Sequence, residues 1–525
     1  MSRTTLSERG DGRMPDDDGR NDRGRDEDSG DGLWRALPPV ALVVAAGAGA
    51  LLAVGAFLGL YVRPTSDDWC ALWKVRDMGV LGITGDFYRT QNGRVTNAFL
   101  TGLLYSDDMR GPKLLPAFLV VALGTGLFFL GRAAVRALRP AAEPGGDPVA
   151  PPVVPLVAAA ALLSALLFFA GTRTYQVLLW APATISHTLP SVIGLWMVLG
   201  AVRAARSGLR WARTAAVVSA LLVGTAVGML SEPFTLVAGL LAVTVGVLRL
   251  PRLGWARDRY VSTWCAAACL GLAAGLTLLY TSPGARWRRA QHPQEPMSAA
   301  EIGETFHDWW RLWQTVGSQW AYLGAVAVGV LLGLALAAGT PRPATTARRA
   351  SAGLPPRRLF LVAVLLPLPL IALASLAVVL GLRSGYGDVG WTYGRTWTSF
   401  LLPLLLALCA YGAWGGHVLG RRLRAAGRPA GRAATLVAAG AVAVGSAAAL
   451  VQPVYTLTKD TVVRSVAWDR QNTRIRAEAA GAPDVAYRPL LIGGLSEPLF
   501  ASSYARDWAA QCTATYYRVN RIHRP

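Results

Sequence analysis

Long runs of apolar residues, separated by short polar gaps, dominate the pattern along this chain. The first run, residues 36–62, is longer than the roughly 20 residues that an α-helix needs to cross the hydrocarbon core of a bilayer. Similar runs recur and predict about eleven membrane-spanning helices, two of them short or marginal. The runs lie at 36–62, 114–130, 153–170, 189–202, 215–230, 234–248, 260–280, 322–338, 359–382, 400–418 and 433–451. The pattern therefore predicts an all-α integral membrane protein.

The gaps between the runs carry most of their arginines on one predicted side of the membrane. With the N-terminus inside, each even-numbered run returns to a gap rich in arginine and poor in acids. These gaps lie at 132–139, 203–213, 249–259, 342–358 and 421–432. Cytoplasmic loops show this excess of positive charge. We expect a multi-pass protein of the inner (plasma) membrane with a cytoplasmic N-terminus and, since the number of runs is odd, an exoplasmic C-terminus.

The polar segments divide the chain into three regions. Residues 1–33 mix arginine with acids, glycine and serine, which predicts a disordered cytoplasmic tail. Residues 34–452 form the predicted transmembrane domain, and residues 63–112 its large first exoplasmic loop with interfacial helices. Residues 453–525 are expected to form a small exoplasmic α/β region, with helices over 461–480 and 503–521 and a strand over 485–492.

Composition supports a membrane protein and argues against a nucleic-acid partner. The chain is 53% hydrophobic and only 16% charged, which is unlike a soluble globular protein. Its net charge of +21 comes largely from arginines scattered between the runs rather than gathered in a patch, so a nucleic-acid partner is not expected. The five cysteines have no zinc-site spacing, and the five histidines form no ligand cluster.

An aspartate pair, Asp67 and Asp68, follows the first run with almost no spacer. Ionisable groups at a membrane surface are costly to hold and usually have a function. The pair can act as a general base, bind a divalent cation or hold a substrate hydroxyl. The alternative is structural: Ser66 or Asp67 caps a helix, with Asp68 near its positive end.

Four further residues are candidates for binding a donor phosphate or another part of a substrate. Arg94 and Asn97 open a predicted interfacial helix and can contact a phosphate, although snorkelling side chains give the same pattern. Glu232 lies between two runs, where it faces a cavity or caps a helix. Arg395 belongs to the glycine- and aromatic-rich stretch 384–397, which can stack on a sugar or form an aromatic belt.

Taken in order, these stretches resemble the GT-C superfamily of polytopic membrane glycosyltransferases, in particular a bacterial branch that uses polyprenyl-phosphate sugars. The matching stretches are Asp67-Asp68, Asn92-Gly93-Arg94, residues 179–190 with His187, Ser231-Glu232-Pro233, Ser282-Pro283-Gly284-Ala285-Arg286 and residues 508–517. The chain departs from the expected pattern at Ala285, where an asparagine is expected. A lone histidine such as His187 is more often structural.

The resemblance implies inverting sugar transfer on the exoplasmic face. One carboxylate of Asp67 and Asp68 would take the proton of an acceptor hydroxyl, while Arg94, Arg286 or Arg395 stabilises the leaving lipid phosphate. The implied partners are a polyprenyl-phosphate-linked sugar donor, an envelope glycan or glycolipid acceptor and membrane lipids. No cofactor is certain, and a divalent cation (Mg, Mn or Ca) on the two aspartates is possible but weakly supported.

Cys70 and Cys512 are predicted to lie on the same, oxidising side of the membrane. We predict a disulfide between them, which would hold the C-terminal region over the aspartate loop; two unrelated free thiols are the alternative.

Two other functions stay open at the level of sequence. A transporter or lipid flippase needs ionisable residues within the spans, whereas here the charges gather in the loops. A non-catalytic envelope protein that binds glycans through its outer loops needs no base.

Overall fold

The computed structural model describes residues 23–138, 152–250, 259–291, 298–338, 361–362, 364–490, 504 and 507–525. These residues are almost entirely helical, which confirms the predicted all-α class. The helices are α1 Arg23–Leu58, α2 Asp67–Thr90, α3 Val95–Leu104, α4 Arg110–Leu138, α5 Val153–Phe169, α6 Ala181–Ala183, α7 Leu189–Ser207, α8 Arg210–Gly228, α9 Glu232–Leu248, α10 Tyr260–Thr281, α11 Pro283–Gln291, α12 Ala299–Ser318, α13 Leu323–Ala338, α14 Pro367–Tyr386, α15 Thr398–Ala425, α16 Pro429–Ala449, α17 Val451–Ala479 and α18 Trp508–Tyr517.

Among the described residues, nine helical segments are long and apolar enough to cross a membrane, judged by length and composition. Two shorter apolar helices, α5 and α9, have 17 residues each and coincide with the predicted runs 153–170 and 234–248. The chain is therefore a membrane protein built from apolar helices. Of the arginine-rich gaps, residues 139, 252, 257 and 342–358 lie outside the described residues.

The first helix begins earlier than predicted. Residues 23–33, the last part of the expected disordered tail, are helical and continuous with the apolar part of α1. Pro38 and Pro39 lie inside this helix, so the polar extension is separated from the apolar part by two residues that have no backbone N–H to donate. Residues 1–22 of the predicted tail lie outside the described residues.

Close packing through glycine brings α13 and α15 together. Gly329 and Gly333 of α13 face Gly412 and Gly416 of α15, and a Cβ atom on any of the four would overlap a backbone carbonyl oxygen of the other helix. Small residues at such positions let two helix backbones approach in a membrane, where van der Waals packing drives association. This contact fixes α15, whose N-terminus follows the loop that presents Arg395.

The C-terminal region is packed against α2. The predicted helix 461–480 falls within α17, and the predicted strand is shorter than expected: β1 covers Asp484–Ala486 and pairs in parallel with β2, Arg521–His523. Residues 491–492 of that predicted strand lie outside the described residues. The fully buried Trp69 of α2 contacts aromatic rings of this region at centroid distances of 5.2–6.1 Å, namely Trp468, Tyr487, Tyr516 and Tyr517.

Candidate functional site

The segment between α1 and α2 is held by α17. Arg464 is buried and donates hydrogen bonds to the carbonyl oxygens of Arg63 and Pro64, at 3.2 and 2.7 Å. Arg63 in turn forms an ion pair with Asp469, with 2.7 Å between Nε and Oδ1. The segment that leads into the aspartate pair is therefore held in place by a helix about 400 residues away in sequence.

Backbone strain lies directly before the pair. Ser66 is buried and has φ +49° and ψ −115°, a conformation that costs a non-glycine residue on the order of 1–3 kcal/mol. Two backbone hydrogen bonds brace this turn: the Asp68 N–H donates to the Thr65 carbonyl at 2.9 Å and the Trp69 N–H to the Ser66 carbonyl at 3.3 Å. Strain of this kind persists where the surroundings over-determine it, which is common at functional sites.

Asp68 is fully buried and has both carboxylate oxygens engaged. The Tyr105 hydroxyl donates to Oδ1, and the Thr65 N–H donates to Oδ2 at 2.9 Å. Burial raises the pKa of Asp68 from 3.8 to about 7, and the hydrogen bonds from Tyr105 and Thr65 oppose that rise. Asp68 thus ties the strained turn to the end of α3 and has no free oxygen for a substrate.

Asp67 has a different environment, although it is the neighbouring residue. It is the first residue of α2 and keeps part of its surface exposed. Removal of water by the surrounding protein raises its pKa, and the positive charges of Arg395, Arg94 and Arg288 oppose the rise. Of the pair, Asp67 is the carboxylate that keeps exposed surface.

Arg94 and Glu232 form a bidentate ion pair. Arg94 precedes α3 and Glu232 begins α9, and the pair joins Nη2 to Oε2 at 2.8 Å and to Oε1 at 3.0 Å. The charge of Glu232 raises the pKa of Arg94, so the guanidinium stays protonated. Each side chain remains about a quarter exposed, at 26% and 23%. The capping role considered for Glu232 belongs to Ser231, whose hydroxyl accepts from the Phe234 N–H.

Two stretches singled out by the resemblance are in direct contact. Gly93 has φ +74°, and a Cβ atom there would overlap the Ser282 hydroxyl and the Leu279 carbonyl at the end of α10. Gly284 packs in the same way on the backbone of Phe87 and Gln91. The segment Asn92-Gly93-Arg94 therefore lies directly on Ser282-Pro283-Gly284.

Asn97 and His187 are both buried in this region, and Asn97 bonds to the residue before His187. The Asn97 side-chain amide donates to the Ser186 hydroxyl at 2.8 Å, and the Thr398 hydroxyl donates to the His187 carbonyl at 2.9 Å. His187 is buried in a short π-helix, Thr184–Thr188, and its Nδ1 has no hydrogen-bond partner in the structure. π-Helical turns inside helices are frequent at functional sites.

Arg395 is held between aromatic rings. Its guanidinium carbon lies 5.6 Å from the ring centre of Trp180 and 4.8 Å from that of Tyr393, within the range of cation–π interactions. Its Nη1 donates to the Gln176 side chain at 3.1 Å. The buried Trp180 Nε1 has no hydrogen-bond partner in the structure. The two rings and Gln176 hold the position of the Arg395 guanidinium, whose positive charge acts on Asp67.

Arg286 is the predicted residue that the structure does not bring into the cluster. It is exposed on α11, and no ion pair or side-chain hydrogen bond involves it among the described residues. Arg288, two residues later, is the α11 residue whose charge acts on Asp67. Residues two apart on a helix point to different sides, so Arg286 and Arg288 do not share one environment.

Cys70 and Cys512 are joined by a disulfide bond, with 4.8 Å between their Cα atoms. The bond links α2, one turn beyond the aspartates, to α18. Together with the aromatic contacts of Trp69, it holds the C-terminal region beside the site.

The site is a poor fit for a divalent cation. Among the described residues, no group of three or more histidine, cysteine, aspartate or glutamate side chains could hold a metal ion. Asp68 has both oxygens in hydrogen bonds, and the positive charges around Asp67 repel a cation. We therefore assign no step to a metal.

An apolar, partly open cavity of about 470 Å³ lies between helices α4, α7, α8, α9, α10 and α15. Two of its lining residues are close in sequence to predicted site residues: Ser191 follows His187 by four residues, and Phe234 follows Glu232 by two. The lining is almost entirely apolar, which suits a hydrocarbon chain.

A scan against protein-family models gives no match for this chain. Searches of the curated proteins and of the solved structures give none either. Function has to be inferred from the chemistry of the site.

Proposed function

We propose that the chain is an integral membrane glycosyltransferase of the GT-C type, which transfers a sugar with inversion from a polyprenyl-phosphate donor to a cell-envelope glycan or glycolipid. The observation that carries this proposal is the environment of Asp67. Asp67 keeps part of its surface exposed and has a raised pKa, and the positive charges of three arginines act on it; α7 and α9, which follow His187 and begin with Glu232, line an apolar cavity. A base, an anion site and a lipid site are the three things that such a transfer requires.

Asp67 is the proposed general base. It takes the proton of the acceptor hydroxyl as the acceptor oxygen bonds to the anomeric carbon of the sugar. The bond from that carbon to the phosphate oxygen breaks, and polyprenyl phosphate leaves with the bonding electrons. The raised pKa makes Asp67 a stronger base than an aspartate in water.

The arginines supply the electrostatic part of the reaction. Negative charge grows on the phosphate as it leaves, and fixed positive charges stabilise this change most where water is excluded. Arg395 and Arg288 carry the proposed phosphate contacts. The positive charge of Arg94 is already paired with Glu232, so its proposed role is to orient the donor rather than to neutralise the phosphate.

The helix arrangement supports an exoplasmic site. We propose about eleven spans, with the first loop (63–112) and the C-terminal region (453–525) outside and the N-terminus in the cytoplasm. The Cys70–Cys512 disulfide is consistent with this orientation, because such bonds persist outside the reducing cytosol.

A lipid flippase is the second candidate, because α9, which begins with Glu232 of the Arg94–Glu232 ion pair, also lines an apolar cavity between the helices. The two functions separate when the full chain is reconstituted in liposomes with a polyprenyl-phosphate sugar labelled in the sugar and a glycan acceptor. A transferase moves the label to the acceptor and releases polyprenyl phosphate. Intact donor that crosses the bilayer without label on the acceptor would instead identify a flippase. If neither event is observed, a glycan-binding protein is the remaining candidate.

A further inference from the structure

A second cavity, of about 550 Å³, lies between the last turns of α4 and α7. Four arginines line it, namely Arg132, Arg136, Arg203 and Arg206. It is far from the aspartates, because α4 begins at Arg110, close to Tyr105, and Arg132 lies about 33 Å further along the helix axis. This cavity therefore belongs to the opposite end of the bundle.

The four positive charges have no counter-charge in the described part of the chain. No carboxylate there forms an ion pair with any of them. Arg206 donates to the Ala133 carbonyl at 2.8 Å, which fixes it across the gap between the helices. Arg132 has a buried Nε without a hydrogen-bond partner among the residues that the structure describes. A bound anion would supply both the missing charge and the missing acceptor.

The cavity continues an exposed apolar stripe on α4. Leu114, Phe118 and Val121 are exposed at intervals of four and three residues, so they lie on one face of the helix. The same spacing carries this face on to Phe129 and then to Arg132, both of which line the cavity. The neighbouring α7 adds the exposed Trp196, whose indole N–H donates to the Ala122 carbonyl at 2.9 Å.

We propose that this cavity binds the phosphate headgroup of an acidic phospholipid, with its acyl chains along the exposed faces of α4 and α7. A free phosphate ion would use the arginines but not the stripe, whereas a lipid uses both. Basic pockets between membrane helices are suited to acidic headgroups. The proposal does not depend on the transferase activity.

The test measures binding of dioctanoyl phosphatidylglycerol to the purified full chain in a neutral detergent, with dioctanoyl phosphatidylcholine and glycerol phosphate as comparison probes. We expect saturable binding of phosphatidylglycerol, weakened about ten-fold or more in the double variant Arg203→Gln/Arg206→Gln. The matched control is Arg421→Gln/Arg422→Gln, which removes the same charge from the end of α15 and should change the affinity by less than about two-fold.

Three results would overturn the proposal. Equal losses in the two double variants would show attraction to surface charge only. Equal binding of phosphatidylcholine would show that the headgroup is not recognised, and equal binding of glycerol phosphate would show a site for free phosphate esters. If the first variant does not fold, as judged by its thermal unfolding midpoint, Arg132→Gln/Arg136→Gln replaces it against the same control.

Discussion

At the start of α2, two adjacent carboxylates differ in every contact that matters for chemistry. Asp68 accepts hydrogen bonds from Tyr105 and Thr65 and is fully buried, whereas Asp67 keeps exposed surface near three arginines. Neighbouring residues at a helix start point in different directions, so one can anchor the turn while the other meets a substrate. The proposed division of labour is that Asp68 positions the turn and Asp67 acts as the base.

The raised pKa of Asp68 predicts a specific dependence of stability on pH. The folded protein binds this proton more tightly than the unfolded chain, with a pKa of about 7 against 3.8. This contribution to stability is therefore fully present below pH 3.8 and is lost as the pH rises through about 7. Thermal unfolding in detergent should show a steeper fall of the midpoint between pH 5 and pH 8 in the wild type than in Asp68→Asn. The comparison uses the slopes, so a constant difference in midpoint between the two proteins does not affect it.

The control for this effect is Asp77→Asn. Asp77 is an exposed carboxylate of α2 whose pKa is lowered by its hydrogen bond with Arg76, so it titrates below that window. Its variant should keep the wild-type slope. Parallel curves for the wild type and Asp68→Asn would show that Asp68 is not a buried, proton-binding group.

Arg286 and Arg288 provide a matched pair for testing the proposed phosphate site. Arg288→Gln should raise the KM for the polyprenyl-phosphate sugar roughly ten-fold, because a charged hydrogen bond to phosphate is lost. Arg286→Gln removes the same charge from the other side of α11 and should leave KM within about two-fold. The measurement is steady-state transfer with purified protein, and the reverse order of effects would restore Arg286 to the site.

At the scale of elements, the site depends on how closely the loop before α3 approaches the end of α10. Gly93 combines a positive φ with a contact that leaves no room for a side chain. Arg94, the next residue, owes its position opposite Glu232 to this approach. The contact between this loop and α10 therefore determines where Arg94 lies in the charged cluster.

Gly93→Ala tests that contact, and Gly79→Ala is its control. Both glycines have a positive φ, +74° and +70°, but a Cβ atom at Gly79 meets nothing within 4 Å. Gly79→Ala should cost roughly 1–3 kcal/mol for the backbone conformation alone, because φ +70° with ψ 178° is adopted almost only by glycine. Gly93→Ala should cost about 3 kcal/mol or more and reduce transfer, because Ser282 and the backbone at Leu279 must move. Equal unfolding midpoints for the two variants would contradict the tight contact.

Over the whole molecule, the C-terminal region is part of the site's support rather than a separate appendage. The Cys70–Cys512 disulfide and the ring contacts of Trp69 join it to α2, while Arg464 holds the approach to the aspartates. Residues more than 400 positions apart are thus fixed together.

Removing the disulfide should therefore destabilise the protein and weaken transfer together. Cys512→Ser is expected to lower the free energy of unfolding by about 2–5 kcal/mol. Cys269→Ser, which changes a free cysteine of α10, should have a much smaller effect. The measurement is the unfolding midpoint with and without reductant. A midpoint in the wild type that reductant leaves unchanged, with the bond shown to be reduced, would rule out this support.

The sequence was sufficient to predict the helices but not most of the contacts within the site. Apolar runs specify spans such as α4 and α10 locally, since their length and hydropathy act within one segment. The pairing of Arg94 with Glu232 joins residues 138 apart and depends on tertiary packing. Tyr105 and Arg464 were missed for the same reason. For α11, the sequence did contain a usable signal: helical spacing places Arg286 and Arg288 on different sides of the helix.

The most direct test of the proposed function is sugar transfer in purified membranes, from a panel of polyprenyl-phosphate sugars to an envelope-glycan acceptor, with wild type and Asp67→Asn at matched expression. Loss of the general base should lower transfer about a hundred-fold or more, while Asp67→Asn still reaches the membrane and binds the donor. Wild-type transfer by Asp67→Asn would contradict the proposed mechanism.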